Sequence, residues 1–143
     1  MLRYITFSNY FIDFKRDGYL SVPGAEGKAA GHLAFEKDWP GDAYFKAVYI
    51  AKNAMPGLSL SPNDLIALIF DEHDLLIKGY QIDDSSDLGD KSGILSMVSR
   101  GELTTEEYDQ IGDIVYIHDH IPLAYMKNVD IPDMERLSRL GLV

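Results

Sequence analysis

The sequence contains no cysteine, which excludes a disulfide framework, a thiolate metal site and a cysteine nucleophile. Long apolar runs are missing too. The longest, residues 65–70, falls far short of the roughly 20 apolar residues that a membrane-spanning helix needs. Met1, Leu2, Arg3 and Tyr4 do not form a cationic region leading into an apolar one, so no signal peptide is expected. A cytoplasmic protein is the expectation. Basic residues are scarce: 13 Lys and Arg stand against 23 Asp and Glu, a formal net charge of −10. That balance disfavours non-specific attraction to nucleic acid or anionic lipid. It suits either plain solubility or a basic protein partner. Neither a G-x-x-x-x-G-K-[ST] nor a G-x-G-x-x-G phosphate loop is present, and no serine sits in a G-x-S-x-G elbow.

Apolar residues make up 46% of the chain, with nine tyrosines among them, which fits a folded globule rather than a disordered tail. At 143 residues the chain fits one domain with an ordinary core. Residues 3–6 read as a short strand. Ser8 suits an N-cap, Tyr10, Phe11 and Phe14 give a helical apolar face as far as Asp17, and Gly18 stands where a helix ends. Residues 24–31 read as a Gly/Ala-rich surface loop, either a lid or a mere connection. Residues 32–37 form a short amphipathic piece, and residues 44–50 alternate well enough for a strand. Residues 65–70 are the best candidate for a central strand buried on both faces. Gln81 and Ile82 read as a weaker strand before a polar loop over residues 83–90.

Helices are expected over residues 91–99 and from Thr104, where Glu107 completes a T-x-x-E capping box. Residues 112–131 come next as a unit. Asp113 opens a β-branched, aromatic strand (Ile114, Val115, Tyr116, Ile117), and His118, Asp119 and His120 supply turn material. Pro122 stops the strand, residues 123–126 make one helical turn, and residues 129–131 a second short strand. Pro132 then opens a last helix carrying Met134, Leu137 and Leu140. The fold class is therefore α+β: one domain over residues 1–143, with mixed or antiparallel sheets of short strands and short flanking helices.

Two patterns invite a metal. His118 and His120 would share one face of a strand, so both imidazoles could reach one ion. The other histidines, His32 and His73, are distant in sequence, and polar turn residues are the default. Asp83, Asp84, Asp87 and Asp90 lack the glycine and the terminal glutamate of a calcium loop. No metal is expected.

The order of elements and wording in residues 112–131 resembles the C-terminal end of the DarT-type branch of the NAD-dependent ADP-ribosyltransferases. There an acidic residue starts a core strand and a short phrase with proline comes after it. Earlier fragments match in order. Tyr4, Ile5 and Thr6 stand at the family's His-x-Thr-like strand, and Asp17, Gly18, Tyr19 and Leu20 at a "DG-L" phrase. Val48, Tyr49 and Ile50 lead on to Asn53, Ala54 and Met55, where members have a strand with tyrosine and a loop ending in "PM". Asp71, Asp74, Leu75 and Leu76 stand at a "DLL" phrase, and Asp83 to Ser86 at an Asp-rich turn.

The resemblance implies an ADP-ribosyltransferase-like fold with NAD held by Tyr4, Thr6, Tyr49 and Met55 and with Asp113 as the catalytic carboxylate. Such a carboxylate would bond the ribose hydroxyl and steady an oxocarbenium-like transition state. There are three departures. Tyr4 replaces the family's first-strand histidine, and Asp113 replaces its glutamate. The family's arginine before the middle strand has no clear counterpart, although Lys37 or Lys46 could stand there. Aspartate is one methylene shorter, and a misplacement of about 1 Å can cost roughly 10²-fold in rate. Glu106 and Glu107 are the alternatives if the register slips, although the capping box already accounts for Glu107.

The function implied by this resemblance is that of an enzyme passing ADP-ribose from NAD to a macromolecular acceptor, a single-stranded nucleic acid or a protein, in a toxin, phage-defence or anti-defence setting. The alternative is an impaired ADP-ribosyltransferase-fold binding protein, an immunity or anti-defence inhibitor whose acidic surface blocks a basic partner. An unrelated small α+β protein is the third reading.

Overall fold

A computed structural model describes residues 1–22, 31–84 and 90–143. Most of the Gly/Ala-rich loop expected over residues 24–31, and residues 85–89 of the Asp-rich loop, lie outside the described residues.

Five strands form one antiparallel sheet: β1 (Leu2–Phe7), β3 (Leu33–Lys37), β4 (Leu65–Phe70), β5 (Asp113–Ile117) and β7 (Met126–Asp130), in the order β5-β3-β1-β4-β7. β2 (Tyr19–Leu20) and β6 (Ile121–Pro122) pair separately. The helices are α1 (Ser8–Asp17), α2 (Ala43–Asn53), α3 (Glu72–Ile77), α4 (Asp90–Ser99), α5 (Thr105–Asp109) and α6 (Met134–Arg139).

Alternation along the strands builds two cores, because successive side chains leave opposite faces of a sheet. Ile5 and Phe7 of β1, Leu65 and Ala67 of β4, and Ile114 and Tyr116 of β5 face α2, α4 and α6. Phe45, Met97 and Leu137 meet them there. Leu2, Ile66, Leu68, Phe70, Val115 and Ile117 face the other way, against Leu20, Leu75 and Ile121, with Phe11 and Phe14 of α1 alongside. β4 is apolar throughout because both of its faces are buried. It is flanked by β1 and β7, so β1 and not β4 is the middle strand.

Local signals set several boundaries. Gly18 closes α1 at φ 85°, its N–H reaching the Phe14 carbonyl at 2.8 Å, a conformation that glycine adopts without steric cost. Ser8 lies inside α1 and does not cap it, and its hydroxyl instead bonds Asp64. Asp133, not Pro132, starts α6, since its carboxylate accepts the Arg136 N–H. The capping box of α5 is complete: Thr104 Oγ1 accepts the Glu107 N–H at 3.1 Å, and Glu107 Oε1 accepts the Thr104 N–H at 2.9 Å. Thr104→Ala is expected to lower stability by about 1 kcal/mol, readable as a shifted urea midpoint with an unchanged slope.

Three expectations are corrected. Residues 44–50 lie inside the helix α2, not a strand. Residues 32–37 supply the strand β3. The 81–82 segment makes no strand: Asp83 alone bridges to Tyr116.

Candidate functional site

β1 and β3 pair at only two positions, Leu2 with Lys37 and Arg3 with Glu36, whereas β1 pairs with β4 along all six of its residues. The sheet therefore forks beyond Arg3. A cavity of about 290 Å³ lies at the fork. Tyr4 and Ile5 line it from β1, and His32 and Ala34 from the β3 side. α2 adds Tyr44, Ala47, Val48, Ala51 and Lys52, while Gly93, Ile94 and Met97 come from α4. The α2 positions recur at i, i+3, i+4, i+7 and i+8, the stripe that one helix face presents.

The closed end of the fork is locked by charge. Arg3 and Glu36 are 1% and 0% exposed and form an ion pair, with Arg3 Nε donating to Glu36 Oε1 at 2.9 Å. The other carboxylate oxygen of Glu36 accepts the Gly112 N–H at 2.8 Å. Arg3 also donates to the Gly41 carbonyl and to Asp42, and its guanidinium lies 4.8 Å from the Trp39 ring centre and 5.0 Å from that of Phe45. Arg136 then clamps Asp42 and Asp130, at 2.7 Å each. Burial raises the Glu36 carboxyl above its ordinary range against the pull of Arg3. Burial would also raise Asp42, but hydrogen bonds from Arg136 and Arg3 outweigh it and hold that carboxyl low.

The expected site residues do not all meet. Tyr4 lines the cavity, its ring 5.5 Å from that of Phe35. Burial pushes its hydroxyl up to about 12, so it stays protonated. Thr6 is buried farther along β1, opposite Ile66. Tyr49 is half-buried on α2, off the cavity stripe, and Met55 is exposed beyond the end of that helix. Asp113 is exposed at the start of β5, opposite Lys37. Tyr116 pairs with the lining residue Ala34, so Asp113 lies three residues, about 10 Å, along the strand from the level of the cavity. The cavity's described lining includes no carboxylate. Glu107 is engaged by its cap and by Lys46 Nζ at 2.9 Å, and Glu106 is exposed.

Tyr44, Lys52 and Met97 line the cavity although sequence reasoning does not single them out, and His32, weighed there only for a metal, lines it too. The helical stripe at 44, 47, 48, 51 and 52 is the one signal that points to the α2 positions. The His118-Asp119-His120 turn divides its imidazoles. His118 approaches Asp83 at 3.9 Å and faces the His32 ring at 6.0 Å, while His120 Nδ1 accepts the Val22 N–H at 2.9 Å. Among the described residues no group of three His, Asp or Glu side chains could hold a metal ion, and no helix is long and apolar enough to cross a membrane.

No family model matches the chain, and no curated protein matches it. A solved structure does: Thermus sp. 2.9 DarT in complex with NAD+ is similar over 98% of this chain and 85% of its own, with a TM-score of 0.56 at 10% sequence identity. At that identity the likeness is one of fold. An antiparallel sheet with short helices on its faces, arranged as in a DarT structure, is thus the architecture of this chain.

Proposed function

We propose that this chain is an NAD-dependent ADP-ribosyltransferase-like protein that holds NAD at the β1–β3 fork and passes ADP-ribose to a nucleophilic atom of a single-stranded nucleic acid or a protein. The observation that carries this reading is the forked cavity in a DarT-like fold. The side chains present fit such a ligand in part. Ile5, Ala47, Val48, Ile94 and Met97 offer apolar surface for a ring, and His32, Tyr44 and Lys52 are the polar residues among the lining of β3's side and α2. A volume of about 290 Å³ falls just below the roughly 300–1,000 Å³ usual for ligand sites, room for a ring and its ribose and not for a whole dinucleotide. Asp113 is the carboxylate assigned to the transfer step.

A second reading, NAD binding without transfer, is favoured by one observation: Asp113 lies about 10 Å along β5 from the cavity's level.

Calorimetric titration with NAD tests the binding. The wild-type protein is expected to bind saturably. Ala51→Trp, which adds an indole at the cavity from an exposed helix position, is expected to weaken or abolish saturable binding, because the indole takes up concave space that a ligand needs. A flat wild-type titration rejects the proposal. Release of nicotinamide from NAD separates the two readings. A drop of about 10²–10³-fold in Asp113→Ala, the scale of losing one charge-stabilising group, supports transfer. Binding with no release by the wild type supports the second reading.

A further inference from the structure

Lys52 stands apart from the other cations. Arg3, Arg16, Lys37, Lys46, Lys78, Arg100, Lys127, Arg136 and Arg139 all take part in ion pairs. Lys15 lies over the Phe11 ring, and Lys91 lies over Tyr108 and donates to the Ile111 carbonyl. Among the described lysines and arginines, Lys52 alone has no ion pair, hydrogen bond or ring partner. It is exposed, and it lines the cavity.

A lone cation is unusual in a chain with ten more acidic than basic residues, because carboxylates to pair with are abundant. The placement of Lys52 gives the cavity a polarity. Its inner wall of Ile5, Ala47, Ile94 and Met97 is apolar, and the ammonium sits on the last turn of α2, beyond Val48 and Ala51. A molecule that matches both ends has a ring at one end and a negative charge at the other.

We infer that Lys52 selects phosphorylated ligands: it contacts the phosphate of a nucleotide whose ring enters the fork. This rests on the cavity proposed above to hold NAD, but it concerns the phosphate and not the base. The cavity accommodates one ring-and-ribose unit, which leaves the phosphate at the mouth, within reach of a flexible four-carbon stem.

Titrations of the full chain and Lys52→Gln with NAD, ADP and adenosine test it. Lys15→Gln, a cation on α1, serves as the control. The expected result is about tenfold weaker binding of NAD and ADP by Lys52→Gln, the scale of one hydrogen bond to a charged group, with adenosine unchanged and Lys15→Gln like the wild type. Added salt should erase most of the difference, since the contact is exposed. NAD bound equally well by Lys52→Gln overturns the inference and leaves the NAD reading standing. ADP binding that depends on Lys52, with no NAD binding, removes the NAD reading and supports the inference. If neither phosphorylated ligand binds the wild type, both are overturned. Equal circular dichroism spectra and melting temperatures establish that the variants fold alike.

Discussion

Arg3→Met lowers the melting temperature by about 10–20 °C. Arg3 is buried beside a carboxylate that is itself fully buried, so removing the guanidinium takes away the main charge that opposes the effect of burial on Glu36, and the carboxyl has to take up a proton or stay poorly paired in a low-dielectric core. Loss of one partner from such a pair costs about 3–5 kcal/mol, and for a domain of this size each kcal/mol is worth about 3–5 °C. Methionine keeps much of the volume, so a cavity is not the cause. The double variant Arg3→Met with Glu36→Leu separates charge from packing. It should regain a large part of the loss, because well-packed apolar replacements of a buried ion pair are often neutral or better. The recovery is incomplete, since the Gly41 carbonyl, Asp42 and the Gly112 N–H also lose a partner. Thermal denaturation followed by circular dichroism reads both variants. A single variant within a few degrees of the wild type would contradict the assignment of the pair as the lock of the fork.

Gly112→Ala is the second large effect. A Cβ at this position would stand 2.1 Å from the Lys37 carbonyl oxygen and 3.0 Å from the Asp38 carbonyl carbon. These are backbone atoms and cannot rotate away, so the turn before β5 has to move. Overpacking that shifts backbone costs about 1–3 kcal/mol. The shift also pulls the Gly112 N–H from Glu36, a hydrogen bond to a charged group worth about 1.5–3 kcal/mol. A loss of about 3–5 kcal/mol in a urea titration is the expected result. Gly18→Ala gives the comparison: nothing lies within 4 Å of that Cβ, so only its left-handed φ is strained, at a cost of about 1–2 kcal/mol.

The elements that are legible in the sequence carry their signals locally. β4 and the apolar part of β5 are uninterrupted apolar runs, rich in β-branched and large side chains. The α5 cap and the Gly18 terminus are written within a few residues. α2 reads as a strand because Tyr44, Lys46 and Val48 alternate, and alternation over so few residues also fits a helix. Its true period shows only when Ala47, Ala51 and Lys52 are counted with them. β3 is hard to read because Glu36 is polar at an inward position, and its partner Arg3 is 33 residues away. The DarT-like fold is legible through a series of weak matches in order. The cavity is not, because residues 4, 32, 52 and 97 are brought together by topology alone.

The fork has a consequence for how recognition by this chain could change over time. Each residue other than proline carries a main-chain donor and acceptor. Among the described residues, β1 and β3 no longer pair with each other beyond Arg3 and Glu36, so main-chain groups as well as side chains border the opening, and under the proposed function both face the ligand. A ligand held by main-chain groups is indifferent to the side chains above them. Substitution can then run through the lining while the backbone path is kept, and two chains that share this path can drift to very low identity without either losing the opening between its strands. Under the proposed function, a scan of side chains to alanine would accordingly see only part of the NAD binding at this opening.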